Sequence, residues 1–154
     1  MTHAKENTGA QARKRWLAVL ARATRLELET AFATCEDLAE PAYLRPAEVG
    51  MVMLRGRVGG TGDAFNVGEA SVTRCALRFG EGALGVGYTL GRDRRKAELI
   101  AMFDALLQDV QRQQDIENQV IAPLARQQAA QQRTASVASA ASKVEFFTFV
   151  RGQT

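Results

Sequence analysis

Few residue types in this 154-residue chain can do covalent chemistry. The single histidine, His3, lies in a polar terminus, and the two cysteines, Cys35 and Cys75, stand far apart with no CxxC spacing. Zinc and iron centres draw on histidine and cysteine at short intervals, so no metal site is expected. The same scarcity removes a Ser–His–Asp arrangement, and Cys75 has no histidine beside it to activate its thiol. Both cysteines are expected as reduced thiols, buried or nearly so. Acid–base work would fall to carboxylates, and no residue is assigned a catalytic role. Asp63 and Glu69 are the candidates, both following a glycine-rich stretch, GGTG at 59–62. Nothing in the neighbouring sequence points to a perturbed pKa for either.

That glycine stretch invites a phosphate-loop reading. No GxxxxGK[ST] follows, and GGTG leads into a strand-like rather than a helical pattern, so the phosphate-loop and dinucleotide fingerprints both fail. Two readings stay open: a hairpin turn needing positive φ, or a loop whose bare backbone approaches another molecule. Arginine strengthens the second, since 16 of the 20 basic residues are Arg. Guanidinium groups make planar bidentate contacts to carboxylate and phosphate. Arg57, Gly59, Gly60, Thr61, Gly62, Arg74 and Arg92 are therefore the candidates for partner or phosphate contacts. The net charge of +3 is modest for a general binder of phosphate backbones. An Arg-rich nucleic-acid-binding module is the alternative reading.

The elements that must position these residues are legible in the apolar periodicity. Residues 10–40 read as helix, with Trp16, Leu17, Leu20 and Ala21 on one face and a capping box at Thr24 and Glu27. The Pro41 to Pro46 stretch reads as a connector. Extended pattern follows: a strand through Met51–Val52–Met53–Leu54 into Arg55 and Arg57, a second at 67–79 and a third at 85–90. Glycine-rich connectors this short dictate an antiparallel meander. If the strand faces align, Arg55, Arg57, Arg74 and Arg78 gather on one side of the sheet, to be met by intramolecular glutamates or by a partner.

Asp93 N-caps a helix to about Gln114, with Leu99, Phe103, Leu106 and Val110 as its buried stripe. Its basic first turn, Arg94–Arg95–Lys96, opposes the helix dipole, and an anion or acidic partner would relieve this. Residues 111–142 are rich in Gln and Ala and read as an arm or linker, with one apolar knot, VIAPL at 120–124, broken by Pro123. The run VEFFTFV at 144–150 favours β structure strongly and needs a strand to pair with, in its own chain or a partner's. Phe146, Phe147 and Arg151 are its partner-strand candidates. The expected fold class is α+β: N-terminal helices, an antiparallel sheet of about four strands including the C-terminal strand 143–151, and one long helix with an extended arm. The chain reads as one domain, 1–154, with 1–12 disordered. No apolar run reaches the ~20 residues of a membrane span and no signal core follows the N-terminus, so a cytoplasmic location is expected.

Taken in order, several segments resemble the PhnG family: RKRWLAVLARA at 13–23, RGRVGGTGDAFNVGEASVTRC at 55–75, GVGYTLGRDRRKAELIAMFDALLQ at 85–108, IAPL at 121–124 and VEFFTFVRG at 144–152. The resemblance implies a subunit of the carbon–phosphorus lyase core complex, with PhnH, PhnI and PhnJ as partners. It implies work beside PhnI, which is regarded as carrying the chemistry, in displacing adenine from ATP by an alkylphosphonate. The product would be a ribose 1-alkylphosphonate 5-triphosphate, processed later by the radical SAM subunit PhnJ. ATP and the alkylphosphonate would be substrates of the complex, and no cofactor would be bound by this chain alone. Arg57, Arg74 and Arg92 match family positions.

Overall fold

The computed structural model describes residues 2–36 and 38–141, with side chains described for 9–36 and 38–139. Helix α1, Thr2–Arg22, takes in most of the segment expected to be disordered. It is followed by α2, Arg25–Phe32, whose start is the expected capping box: the Thr24 hydroxyl accepts from the Glu27 amide, and the Glu27 carboxylate accepts from the Thr24 amide at 2.7 Å. Three antiparallel strands come next, β1 at Pro41–Arg57, β2 at Ala64–Phe79 and β3 at Gly85–Leu90, in the order β1-β2-β3. Helix α3, Arg94–Leu107, packs across one sheet face; α4, Val110–Ile116, and α5, Ala122–Ala141, complete a helical layer. The class is α+β, as expected. The fourth strand, 143–151, with Phe146, Phe147 and Arg151, lies outside the described residues.

Four expectations are corrected. The Pro41–Pro46 connector is the start of β1. Proline lacks an N–H but is tolerated where a strand begins or lies at a sheet edge, and β1 is an edge whose register shifts between Arg45 and Glu48. The long helix ends early because Asp109 caps a new one, accepting from the Gln111 amide at 3.0 Å; Val110 is 85% exposed rather than part of the stripe. The arm is helical, and its apolar knot belongs to the core: Ile116, Val120, Ile121 and Leu124 are buried against Trp16, Leu28 and Phe103. Pro123 does not break it, because a π turn at Glu117–Ile121 precedes it, with the Ala122 amide donating to the Glu117 carbonyl. A widened turn relieves the clash a proline ring makes with the preceding turn.

The fourth correction concerns the arginines. From Glu48 to Leu54 register pairs odd residues of β1 with odd residues of β2, as in Val49 with Thr73 and Met53 with Glu69; past a shift between Leu54 and Arg55, Arg55 pairs with Asn66 and Arg57 with Ala64. By alternation along β1, Arg55 and Arg57 share the face of Val49 and Met53, and so that of Thr73, Cys75 and Leu77, which α3 covers lower down. Arg74 and Arg78 point from the opposite face. The four guanidinium groups do not gather.

Sheet and helix layers approach closely. A Cβ on Gly85 or Gly87 would overlap the carbonyl oxygens of Ala101 or Ala97 on α3. The small side chains Ala97, Ala101 and Ala105 recur every four residues, forming the groove in which β3 lies. Asp104, fully buried, ties three elements together. Its carboxylate accepts from Arg13 Nη2 at 2.7 Å, Trp16 Nε1 at 2.9 Å and the Val86 amide at 2.9 Å.

Candidate functional site

Strand β3 pairs with β2 only between Val72 and Leu77. Beyond that point β1 and β2 continue without a third strand among the described residues, pairing from Met51 with Ser71 out to Arg57 with Ala64. The result is a two-stranded ribbon projecting roughly 20 Å past the body, at ~3.3 Å per residue. Both of its faces carry apolar side chains open to solvent. Met51 and Met53, 64% and 57% exposed, stand on the face shared with Arg55 and Arg57. Leu54, Phe65 and Val67 are also exposed, the last two lying over Gly56. Soluble chains seldom display this much contiguous apolar surface unless something covers it.

The tip is the glycine loop. Val58–Gly60 forms a 3-10 turn in which Gly59 and Gly60 take φ of 59° and 83°, where a side chain is strained. The loop closes on itself. The Gly62 amide donates to the Val58 carbonyl at 2.8 Å, and Arg57 Nη1 donates to the Gly62 carbonyl at 3.2 Å. A Cβ at Gly62 would strike the Val58 carbonyl oxygen at 2.7 Å. Tight turning thus accounts for three of its glycines, while Thr61 and Asp63 stay exposed.

The candidates fall into two groups. Arg57, Gly59, Gly60, Thr61, Gly62 and Asp63 share the tip. Glu69 sits further down β2, opposite Met53, so Asp63 and Glu69 do not form a pair. Arg74 belongs to the body, where its Nε donates to Glu48 Oε1 at 2.8 Å; the same oxygen accepts from Arg45 at 3.1 Å. Arg92 is exposed in the link between β3 and α3. The basic first turn of α3 has internal partners: Arg95 donates to Glu98 at 3.2 Å, and Lys96 Nζ reaches the Ala21 carbonyl at 2.8 Å. Lys96 thereby places a cation at the C-terminal end of α1, where the helix dipole favours it, and burial pushes its pKa down. Both cysteines are free thiols. Cys75 is buried on the α3 side, and burial together with the nearby Glu98 carboxylate pushes it up to about 11. At neutral pH it is no nucleophile.

A mixed hollow of about 480 Å³ in the body is bounded by Leu38, Phe79, Leu106, Gln108 and Arg112 among others. None of the candidate residues lines it. The signals that sequence reading passed over were the exposed apolar residues of the ribbon and Asp104. The first read only as strands. The second stood as a lone acid inside an apolar helix stripe.

In the body, Asp104 and Glu48 meet their partners within the chain, while the ribbon leaves apolar side chains open. A profile of the family described as "Phosphonate metabolism protein PhnG" matches residues 11–152. The chain belongs to the PhnG family. A curated relative from Rhizobium meliloti (strain 1021), named alpha-D-ribose 1-methylphosphonate 5-triphosphate synthase subunit PhnG, is 41% identical over 151 residues, covering 96% of this chain and 94% of the relative. The matched span holds the whole ribbon, the GGTG tip and Asp104, so these are features of a PhnG-family chain. No helix among the described residues is long and apolar enough to cross a membrane.

Proposed function

We propose that this chain is an activity-supporting, non-catalytic subunit of an alpha-D-ribose 1-methylphosphonate 5-triphosphate synthase, in the cytoplasm. It acts with PhnI in displacing adenine from ATP by an alkylphosphonate, and PhnH and PhnJ complete the core complex. The observation that carries the reading is the projecting ribbon, apolar on both faces, on a family member whose two carboxylate candidates, Asp63 and Glu69, do not meet. In this reading Leu54, Phe65 and Val67 pack on the partner. Arg57, Arg74 and Arg92 meet its acidic groups or the triphosphate, and no cofactor belongs to this chain alone.

Co-expression with PhnI tests it. The two chains should co-elute in size exclusion, and Leu54→Asp with Val67→Asp should abolish co-elution while leaving the thermal melt of this chain within a few degrees. Separate elution of the unaltered chains would refute the assignment. Asp63→Asn and Glu69→Gln, made in the assembled complex, should leave ATP-dependent transfer within about twofold. A tenfold loss with the complex intact would move the loop into the active site, since positioned acid–base groups contribute roughly 10²–10⁴-fold.

A further inference from the structure

Helix α3 covers one face of the sheet. The other face holds the even-numbered residues of β2 from Ala70 to Arg78 with their partners on β1 and β3. Register places Leu90 beside Val72 and Tyr88 beside Arg74, and these two β3 side chains are 71% and 49% exposed. Val72, between Gly50 and Leu90, is buried. Toward the tip the same face continues through Val52 and Leu54 to Phe65, which lies over Gly56. One apolar side of the ribbon and the uncovered side of the body are therefore a single surface.

The far end of that surface is charged. Arg45 pairs with Ala76, and Arg74 and Arg78 are the neighbours of Ala76 on the same face of β2. Three arginines thus border one methyl group. Glu48 Oε1 accepts from Arg74 at 2.8 Å and from Arg45 at 3.1 Å, so one carboxylate serves two of them. Arg78 is exposed and meets no carboxylate among the described residues. Like charges gathered on one sheet face repel, and carboxylates brought from outside relieve this.

On the reading that PhnI is the partner, we infer that it lies along this whole face and not on the ribbon alone. Its apolar side chains cover Leu54, Leu90 and Tyr88, and its carboxylates meet Arg45, Arg74 and Arg78. Size favours the longer contact. Two strands ~4.8 Å apart and ~20 Å long give the ribbon a face of roughly 200 Å². A stable interface takes about 800 Å² from each partner. From Phe65 to Arg78 the face runs about 40 Å, and over the body it is three strands wide. Charge favours a protein over a free phosphate. Arg45 and Arg74 stand on an open sheet with side chains 51% exposed, where a small anion stays hydrated. Carboxylates carried by the subunit that covers Tyr88 are positioned and dried by that same contact.

Binding of PhnI to the immobilised full-length chain tests the placement. Arg78→Glu should weaken binding about tenfold near 50 mM salt and much less near 500 mM, because exposed charges are screened. Leu90→Asp should weaken it by about tenfold at both, since a carboxylate is buried there without a partner. Leu26→Asp, on the exposed side of α2, is the control and should stay within about twofold. If a variant does not fold, hydroxyl-radical footprinting of the unaltered chains replaces it. Tyr88 and Leu90 should then be oxidised at least about fivefold more slowly in the complex than in the free chain, because an interface core excludes water. No binding by the unaltered chain refutes the assembly and the placement together. Binding that ignores Arg78→Glu and Leu90→Asp, with Tyr88 oxidised as fast as before, overturns the placement alone. So does an equal loss in Leu26→Asp, or a slower transfer in Arg78→Glu with binding unchanged, which turns the arginines toward substrate.

Discussion

Strand β2 passes through two environments. Between Val72 and Leu77 it has β1 on one side, β3 on the other and α3 beneath, and Val72, Thr73, Cys75 and Leu77 are buried. Between Ala64 and Glu69 it has β1 as its one strand neighbour among the described residues, and every side chain is exposed. The two stretches have similar apolar content, so composition does not separate them. What separates them is where their constraints lie. The buried stretch is held by contacts inside the chain, so substitutions there should cost stability. The ribbon has few such contacts, so substitutions there should cost stability little and association much.

The largest effect should come from Asp104, where the body is most tightly tied. Asp104→Ala leaves the Arg13 guanidinium, the Trp16 indole N–H and the Val86 amide without their acceptor, and α1, α3 and β3 lose their common joint. Removing one member of a buried charge pair costs about 3–5 kcal/mol. Chemical denaturation should show that loss with its slope unchanged. A loss under 1 kcal/mol would show that the body is not held there.

Glycine gives the most direct contrast between the regions. Gly87→Ala forces a methyl group into the Ala97 carbonyl, a backbone atom that cannot swing aside, and overpacking of this kind costs roughly 1–3 kcal/mol. Gly68 on the ribbon has nothing within 4 Å of the same added atom. Gly68→Ala should therefore be within about 0.5 kcal/mol of the parent, as surface substitutions usually are. Similar losses at both positions would erase the distinction drawn between body and ribbon.

How far the sequence disclosed this division depends on which interaction decides each element. The capping box at Thr24 and Glu27, the Asp93 cap and the limits of β3 were legible because each is set by residues within a turn or two. The split at Asp109 is equally local, yet the apolar stripe through Val110 masked it. β1 was read too short because proline argues against a strand, and only the tertiary position of an edge permits it. The arginine faces depended on register, a non-local quantity, and parity sent them apart. Asp104 was invisible because its donors come from α1 and β3, far away in sequence. The ribbon's apolar residues were legible as a strand, but exposure is a property of what is missing beside them. Of the candidate site, the tip group and its turn were readable, while the separation of Glu69, Arg74 and Arg92 from it was not.

Titration of Cys75 probes the body at comparable strength under alkaline conditions. Its folded thiol is raised to about 11 from an ordinary value near 9. The unfolded chain then gives up this proton first, so it binds fewer protons than the folded chain between those values. Stability is full below pH 9 and falls as pH rises toward 11, by up to about 2–3 kcal/mol at ~1.4 kcal/mol per pKa unit. Cys75→Ser or Cys75→Ala should flatten that part of the profile. An alkylating reagent at pH 8 should leave native Cys75 unmodified.

The smallest effect is expected where body gives way to arm. Glu27 accepts from the Thr24 amide and hydroxyl, and also from Gln127 on α5 at 2.8 Å. These bonds, the backbone one first, hold its pKa below the ordinary carboxylate value. The lowered pKa means that the folded chain protonates later than the unfolded one as pH falls. The stabilisation is complete above the unfolded value and disappears as pH drops through the folded one. Thr24→Ala should cost about 1 kcal/mol, the usual worth of an N-cap. Gln127→Ala should cost less, because it removes one exposed bond to a helix that Leu124 already anchors in the core. If Gln127→Ala instead loosens residues 129–139 in hydrogen exchange while the melt is unchanged, that bond marks the hinge of the arm. The boundary between body and arm would then lie at α5's second turn.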